Sequence, residues 1–310
     1  MIERVETVGD DYAAPAAPGW RGRDWSDSVR RVEIAGSQLN LCDVGLGTEA
    51  CVLVHGMGGR WQHWLETIPF LSQHRRVVAL DLPGFGRSEP PKQRPSAQHF
   101  ADCVAELCGA LNIGRAVLFG HSMGGPIALQ FASRHPDLAE AIVLVAGPVF
   151  SFSRVLSVRR APEVARRRPM VAAAIATGVI TAGLPTPGFV RHAIATRPNL
   201  RRLALWPCVK APELLPSETA ELLVGGAGAP GVFPTARAIG RSEPLDTLDQ
   251  VTCPILSING EDDLIVPPED VERFAEIRPD AEVVLIEGVG HMLMLERPAA
   301  FNRIAARAIV

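Results

Sequence analysis

The stretch Ala116-Val117-Leu118-Phe119-Gly120-His121-Ser122-Met123-Gly124-Gly125 decides how this chain is read. Its first five residues form a short apolar run, as a buried strand does. From Met123 to His135 the pattern is helical, and Pro136 ends it. A Gly-x-Ser-x-Gly pentapeptide alone is a weak signal. Between a strand and a helix it is the tight turn that lifts a serine hydroxyl clear of the backbone. Side chains at Gly120 and Gly124 would obstruct such a turn, because it holds the serine in a strained conformation. The helix starting at Met123 turns its N-terminal amides and positive dipole end toward the same spot.

Working outward, Arg30–Ala35 and Leu39–Val44 read as a hairpin across Gly36-Ser37, and Ala50–His55 follows as the first buried strand. Arg76–Leu80 and Ala141–Ala146 are further short apolar runs, with a helical pattern over Ala97–Leu111. After a long interruption the rhythm resumes with strand Pro254–Asn259, helix Pro268–Ile277, strand Glu282–Glu287 and a helix over Pro298–Ala308. Strands alternating with helices predict a mostly parallel sheet flanked by helices. The expected divisions are an N-terminal arm (1–28), a core (29–147 and 244–310) and an insertion (148–243). The Pro-, Gly- and Asp-rich arm is expected to be loosely ordered. It lacks the basic and apolar regions of a signal peptide.

A serine hydroxyl needs a base within hydrogen-bond reach. His291 is the best candidate of eight histidines, because it follows Gly288-Val289-Gly290 directly after a strand. Loops after parallel strands gather on one sheet edge, which puts His291 and Ser122 together. His63, His74, His99, His135 and His192 fall in helices or connecting loops and read as surface or packing residues, whereas His55 and His121 flank the site and could orient its loops. The histidine needs an acid, and Glu261, Asp262 and Asp263 all follow strand Pro254–Asn259. An acid in this segment gives the chain order Ser, acid, His. For a developing oxyanion, the backbone N–H groups of Met57, in His55-Gly56-Met57-Gly58-Gly59, and of Met123 are the assigned donors.

These segments, together with Asp81-Leu82-Pro83-Gly84-Phe85-Gly86-Arg87-Ser88 and Gly260-Glu261-Asp262-Asp263-Leu264-Ile265-Val266-Pro267, resemble the α/β-hydrolase superfamily over nearly all of residues 29–310. The resemblance implies an eight-stranded α/β-hydrolase fold with a helical cap inserted after the sixth strand. It implies Asp263 as the acid, Met57 as an oxyanion donor, a structural turn at Asp81–Gly86, and no metal or organic cofactor. A serine nucleophile separates the chain from relatives that use an aspartate.

The insertion holds 13 Lys and Arg against five acids, a net +8 that leaves −11 for the rest of a chain totalling −3. Ten arginines lie between Ser151 and Arg202, with Glu163 the one acid there. The uncharged stretch Pro169–Val190 is long enough for a membrane span, but Ala, Gly, Thr and three prolines make poor hydrocarbon-facing material. A helical lid fits better. Its basic surface is compatible with steering an anionic substrate, with peripheral contact to an anionic membrane, or with plain solvation.

With 310 residues, 47% hydrophobic, the chain can bury one large core. Neither its net charge nor any basic-aromatic module points to nucleic acid. Six cysteines are scattered without metal spacing and read as reduced, packed thiols of a cytoplasmic protein. Oligomeric state is not legible. The expected chemistry is hydrolysis of a carboxylic ester, or a related lactone or thioester, of a small or lipid-like substrate through an acyl-enzyme. The same residues could perform acyl transfer, carbon–carbon hydrolysis of a diketone or cofactor-free peroxidation, and a ligand receptor on this fold is the alternative from a different class.

Overall fold

The computed structural model describes residues 1–7, 11–16, 19–147, 150–241 and 244–309, without the side chains of 244–246. The expected insertion limits, 148 and 243, lie outside the described residues. Among the described residues one sheet holds nine strands: β1 (Ile2–Val5), β2 (Val29–Ile34), β3 (Ser37–Val44), β4 (Glu49–Val54), β5 (Arg76–Leu80), β6 (Arg115–His121), β7 (Ala139–Val145), β8 (Ile255–Gly260) and β9 (Glu282–Ile286). Their order is β1-β9-β8-β7-β6-β4-β5-β3-β2. β3 is antiparallel to both of its neighbours, β2 and β5, and every other pairing among the described strands is parallel. The β2–β3 hairpin turns through Ala35 and Gly36, both at positive φ, the backbone that matches strand twist in a two-residue turn.

Alternation along the central strands feeds two cores. Ala50, Val52 and Val54 face one side with Ala116 and Leu118, while Cys51 and Leu53 face the other with Val117 and Phe119. A buried parallel sheet needs this, since each face must be covered by helices. The covering helices of the first half are α1 (Ile68–Leu71), α2 (Ala97–Ala110) and α3 (Gly124–Arg134). Between β7 and β8 come α4 (Phe150–Leu156), α5 (Ala161–Arg167), α6 (Pro169–Gly183), α7 (Gly188–Thr196), α8 (Pro198–Leu205), α9 (Ser217–Val224) and α10 (Val232–Ile239). α11 (Pro268–Ile277), α12 (Leu293–Glu296) and α13 (Pro298–Ala305) complete the chain.

Two expectations are corrected. The sheet has nine strands rather than eight, and the ninth comes from the arm expected to be loose: Ile2–Val5 pairs in parallel with Val283–Ile286. The arm is anchored further on, where Tyr12 Oη donates to Glu296 at 2.8 Å and Ala16 N–H to buried Glu66 at 2.9 Å. Discounting β1, the insertion does follow the sixth strand. The stretch Pro169–Val190 breaks between α6 and α7, and no described helix is long and apolar enough to cross a membrane. All six cysteines are unpaired and four are buried.

Candidate active site

Ser122 occupies the turn from β6 to α3 with φ at +52°, a left-handed conformation uncommon for serine. The surroundings impose it. Ser122 N–H donates to the Val145 carbonyl, and the Ser122 carbonyl accepts from Gly125 N–H, both at 2.8 Å. A Cβ at Gly120 would overlap the Gly124 carbonyl, and one at Gly124 would lie 2.7 Å from Val54 O. At Gly56 an added Cβ would lie 2.8 Å from the His121 ring. The turn is therefore pressed against the end of β4 and the loop after it.

Asp263 follows β8 and His291 follows β9. His291 Nδ1 lies 2.7 Å from Asp263 Oδ2, while Asp263 Oδ1 accepts from the N–H groups of Ile265 at 2.7 Å and Val266 at 2.9 Å. Those donors satisfy a carboxylate that is 2% exposed. With an ionised acid as acceptor, Nδ1 of the neutral ring carries the proton and Nε2 keeps its lone pair. The neighbouring acids point elsewhere: Asp262 pairs with Lys210 Nζ at 2.5 Å, and Glu261 pairs with Arg4. Of the three acids open to a reading of the residues alone, Asp263 is the one that meets the histidine.

Ser122, His291, Gly56, Met57 and His121 line one chamber of about 60 Å³. Among the described residues no protein acceptor engages the backbone N–H of Met57 or Met123. Met123 is the N-cap of α3, so its amide stands at the positive end of that helix. Met57, His63, Gly178, Cys208 and Met292 also line a second cavity of about 270 Å³, which extends beneath the insertion. No Lys, Arg, Asp or Glu lines either space among the described residues.

Three buried histidines surround the site as neutral rings. His55 Nδ1 donates to Gly56 O at 2.7 Å and Nε2 accepts from Leu82 N–H at 3.1 Å, which joins the loop after β4 to the one after β5. His121 Nε2 donates to the His291 carbonyl at 3.0 Å. Burial pushes the pKa of both below the ordinary histidine range. His63, expected as a surface or packing residue, instead lines both cavities; burial, with the nearby Arg60 charge, lowers its pKa to about 3. Asp81 makes the structural turn expected of it, accepting from Trp61 N–H, Arg87 N–H and Asn40 Nδ2.

The residue that sequence reading missed is Glu296. Its carboxylate, fully buried, accepts from Gly290 N–H and Met292 N–H on either side of His291, both at 3.0 Å. It also accepts from Lys210 N–H at 2.9 Å and Tyr12 Oη at 2.8 Å. One side chain thus fastens the His291 loop to the insertion and to the N-terminal arm. Desolvation raises its pKa against the pull of these donors. The available signal was an acid closing the apolar run His291-Met292-Leu293-Met294-Leu295, where an unpaired charge is not tolerated.

Residues 51–304 match the alpha/beta hydrolase family. The chain is 28% identical to the 2-hydroxy-6-oxo-2,4-heptadienoate hydrolase of Pseudomonas putida, over 89% of this chain and 94% of that one. Its fold is similar to that of a meta-cleavage product hydrolase from Pseudomonas fluorescens IP01, with a TM-score of 0.68 and 22% identity over 90% of this chain and 96% of that one. It is similar also to a thermophilic esterase from Thermogutta terrifontis, with a TM-score of 0.63 and 25% identity over 91% and 100% of the two chains. The strand order, the strained serine turn and the family match over most of the length agree: this chain belongs to the alpha/beta hydrolase family.

Proposed function

We propose that the protein is a serine hydrolase that cleaves a carboxylic ester or lactone of an uncharged, apolar substrate through an acyl-enzyme, with the insertion acting as the cap. Ser122 Oγ attacks the carbonyl carbon while His291 Nε2 takes its proton. Asp263 holds the ring in that tautomer and stabilises the imidazolium. The amides of Met57 and Met123 receive the oxyanion. His291 returns the proton to the departing alkoxide, and a water activated by the same nitrogen releases the acid and regenerates Ser122. A buried serine, carboxylate and histidine, in that chain order, support the triad reading.

The observation that carries the substrate class is the absence of any charged side chain from the walls of the two cavities among the described residues. A buried carboxylate without a cation to meet it is strongly disfavoured. Arg201 is the buried guanidinium of the insertion, and it donates to the carbonyls of Ala195, Pro212 and Glu213 rather than lining either space. Carbon–carbon hydrolysis is the second reading, favoured by the similarity to the P. putida hydrolase, whose name denotes a dienoate substrate.

The two readings separate on substrate charge. Neutral 4-nitrophenyl esters should be turned over and a fluorophosphonate should label Ser122; Ser122→Ala should abolish labelling and lower kcat by about 10⁵-fold or more. Faster turnover of a carboxylate-bearing dienone than of any neutral ester would replace the first reading with the second. Failure of the folded protein to label would remove both.

A further inference from the structure

Of the ten large apolar side chains exposed among the described residues, eight belong to the insertion. Two of them, Phe189 on α7 and Leu203 on α8, are 77% and 73% exposed and line a shallow groove of about 690 Å³ between these helices. Arg197, at the junction of α7 and α8, lines it too. Residues 188–206 contain Arg191, Arg197, Arg201 and Arg202 and no acid. Among the described residues no ion pair engages Arg191, Arg197 or Arg202.

The groove lies back to back with the larger cavity of the candidate site. Ile194 and Ala204 form a wall common to the groove and the 270 Å³ cavity. That cavity in turn shares Met57, Cys208 and Met292 with the chamber of Ser122. Apolar lining therefore extends from an exposed, basic helical hairpin to the chamber of the serine, with Ile194 and Ala204 standing between the groove and the cavity. A surface that is both cationic and apolar complements one occupant in particular, the interface of an anionic phospholipid bilayer, where arginines meet headgroup phosphates and the aromatic and leucine side chains enter the acyl boundary.

We propose that the α7–α8 hairpin docks the protein on anionic membranes and that an apolar ester passes from the lipid along the groove and past Ile194 and Ala204 to Ser122. The inference rests on the acyl-enzyme reading for the fate of the substrate, but the docking itself does not need catalysis. The test is flotation of the full-length protein with vesicles of phosphatidylglycerol and phosphatidylcholine, against vesicles of phosphatidylcholine alone. Binding to the anionic vesicles should be stronger and should weaken as salt is raised. Arg191→Gln/Arg197→Gln/Arg202→Gln should weaken partitioning by about a hundredfold, at roughly fivefold per cation near a charged surface. Phe189→Ser/Leu203→Ser should weaken it about tenfold or more.

Phe189, Arg197, Arg202 and Leu203 are exposed and Arg191 is half-buried, so an unchanged far-UV spectrum and melting temperature would show that the variants fold. Ser122→Ala should bind vesicles as the parent protein does. If the parent binds neither vesicle type, or if both hairpin variants bind like it, docking is overturned while labelling of Ser122 still upholds the hydrolase reading. A concentration-dependent dimer in light scattering that Phe189→Ser/Leu203→Ser dissolves would overturn it also, by assigning the face to a second copy of the chain.

Discussion

In the sheet, β4 and β6 bury every residue from Ala50 to Val54 and from Ala116 to His121, whereas the helices of the insertion leave Met170, Ile180, Phe189, Leu203 and Phe233 exposed. The sheet edge holds its polar groups by several donors each. Asp263 accepts three hydrogen bonds and Glu296 four. The insertion carries a net positive charge from arginines that mostly face solvent. The difference teaches that reaction geometry is over-determined by distant parts of the chain. The insertion, which we propose meets substrate, is built from short helices with few such constraints, and it is free to vary in charge and shape.

Four substitutions test that contrast. The largest effect belongs to the acids at the sheet edge. Asp263→Asn, which fixes the wrong tautomer of His291, should lower kcat by about 10⁴-fold. Asp262→Asn, one residue away in a partly exposed pair with Lys210, should change it less than about threefold. Comparable losses at the two positions would mean that the assignment of the acid, and the separation of the neighbouring acids, is wrong.

Next comes Glu296→Gln. An amide NH2 cannot accept, so buried N–H groups around His291 would be left facing a donor, at a cost of about 2–4 kcal/mol in stability. Because Gly290 and Met292 flank His291, kcat should also fall, by about 10- to 100-fold with KM little changed, and the pH profile of kcat/KM should shift. A variant that loses stability while keeping the parent kcat and pH profile would reduce Glu296 to a structural residue.

The smallest effect is expected at a junction between the regions. Asp270 on α11 accepts from Ser151 N–H at 2.6 Å and Ser151 Oγ at 2.9 Å on α4, and burial raises its pKa from 3.8 to about 6. A carboxyl with a raised pKa contributes stability that is fully present below pH 3.8 and is lost as pH rises through about 6. Asp270→Asn should therefore be stabilised relative to the parent at pH 8 by about 1–3 kcal/mol, with the difference vanishing near pH 4. Thermal melts across that range check it, and a difference that grows toward low pH would contradict the sign.

What was legible before the structure follows from the range of the forces involved. Ser122 could be placed because its signal is local: a buried strand, a turn that excludes Cβ atoms, and a helix start within ten residues. His291 was legible for a related reason, since parallel strands deliver their following loops to one edge. The acid was different. Glu261, Asp262 and Asp263 look alike as neighbours in a turn, and a reading of the residues alone left all three open until Lys210 and Arg4 engaged two of them across the fold.

The sequence by itself determined the alternation that makes a two-faced buried sheet, the strained serine turn, the order of the three site residues and the basic bias of the insertion, because each is a property of neighbours along the chain or of composition. Only the tertiary structure decided that Ile2–Val5 adds a ninth strand, since four residues with two charges hold a strand conformation through pairing with β9. It alone decided that Glu296 braces the His291 loop, that His63 lines the cavities, and that the arginines of a +8 insertion stay out of the walls around Ser122. Except for the short-range bonds from Gly290 and Met292 to Glu296, those outcomes depend on contacts between residues tens to hundreds of positions apart, as where Lys210 and Tyr12 reach Glu296, and burial and hydrogen-bond satisfaction, rather than local pattern, choose the arrangement.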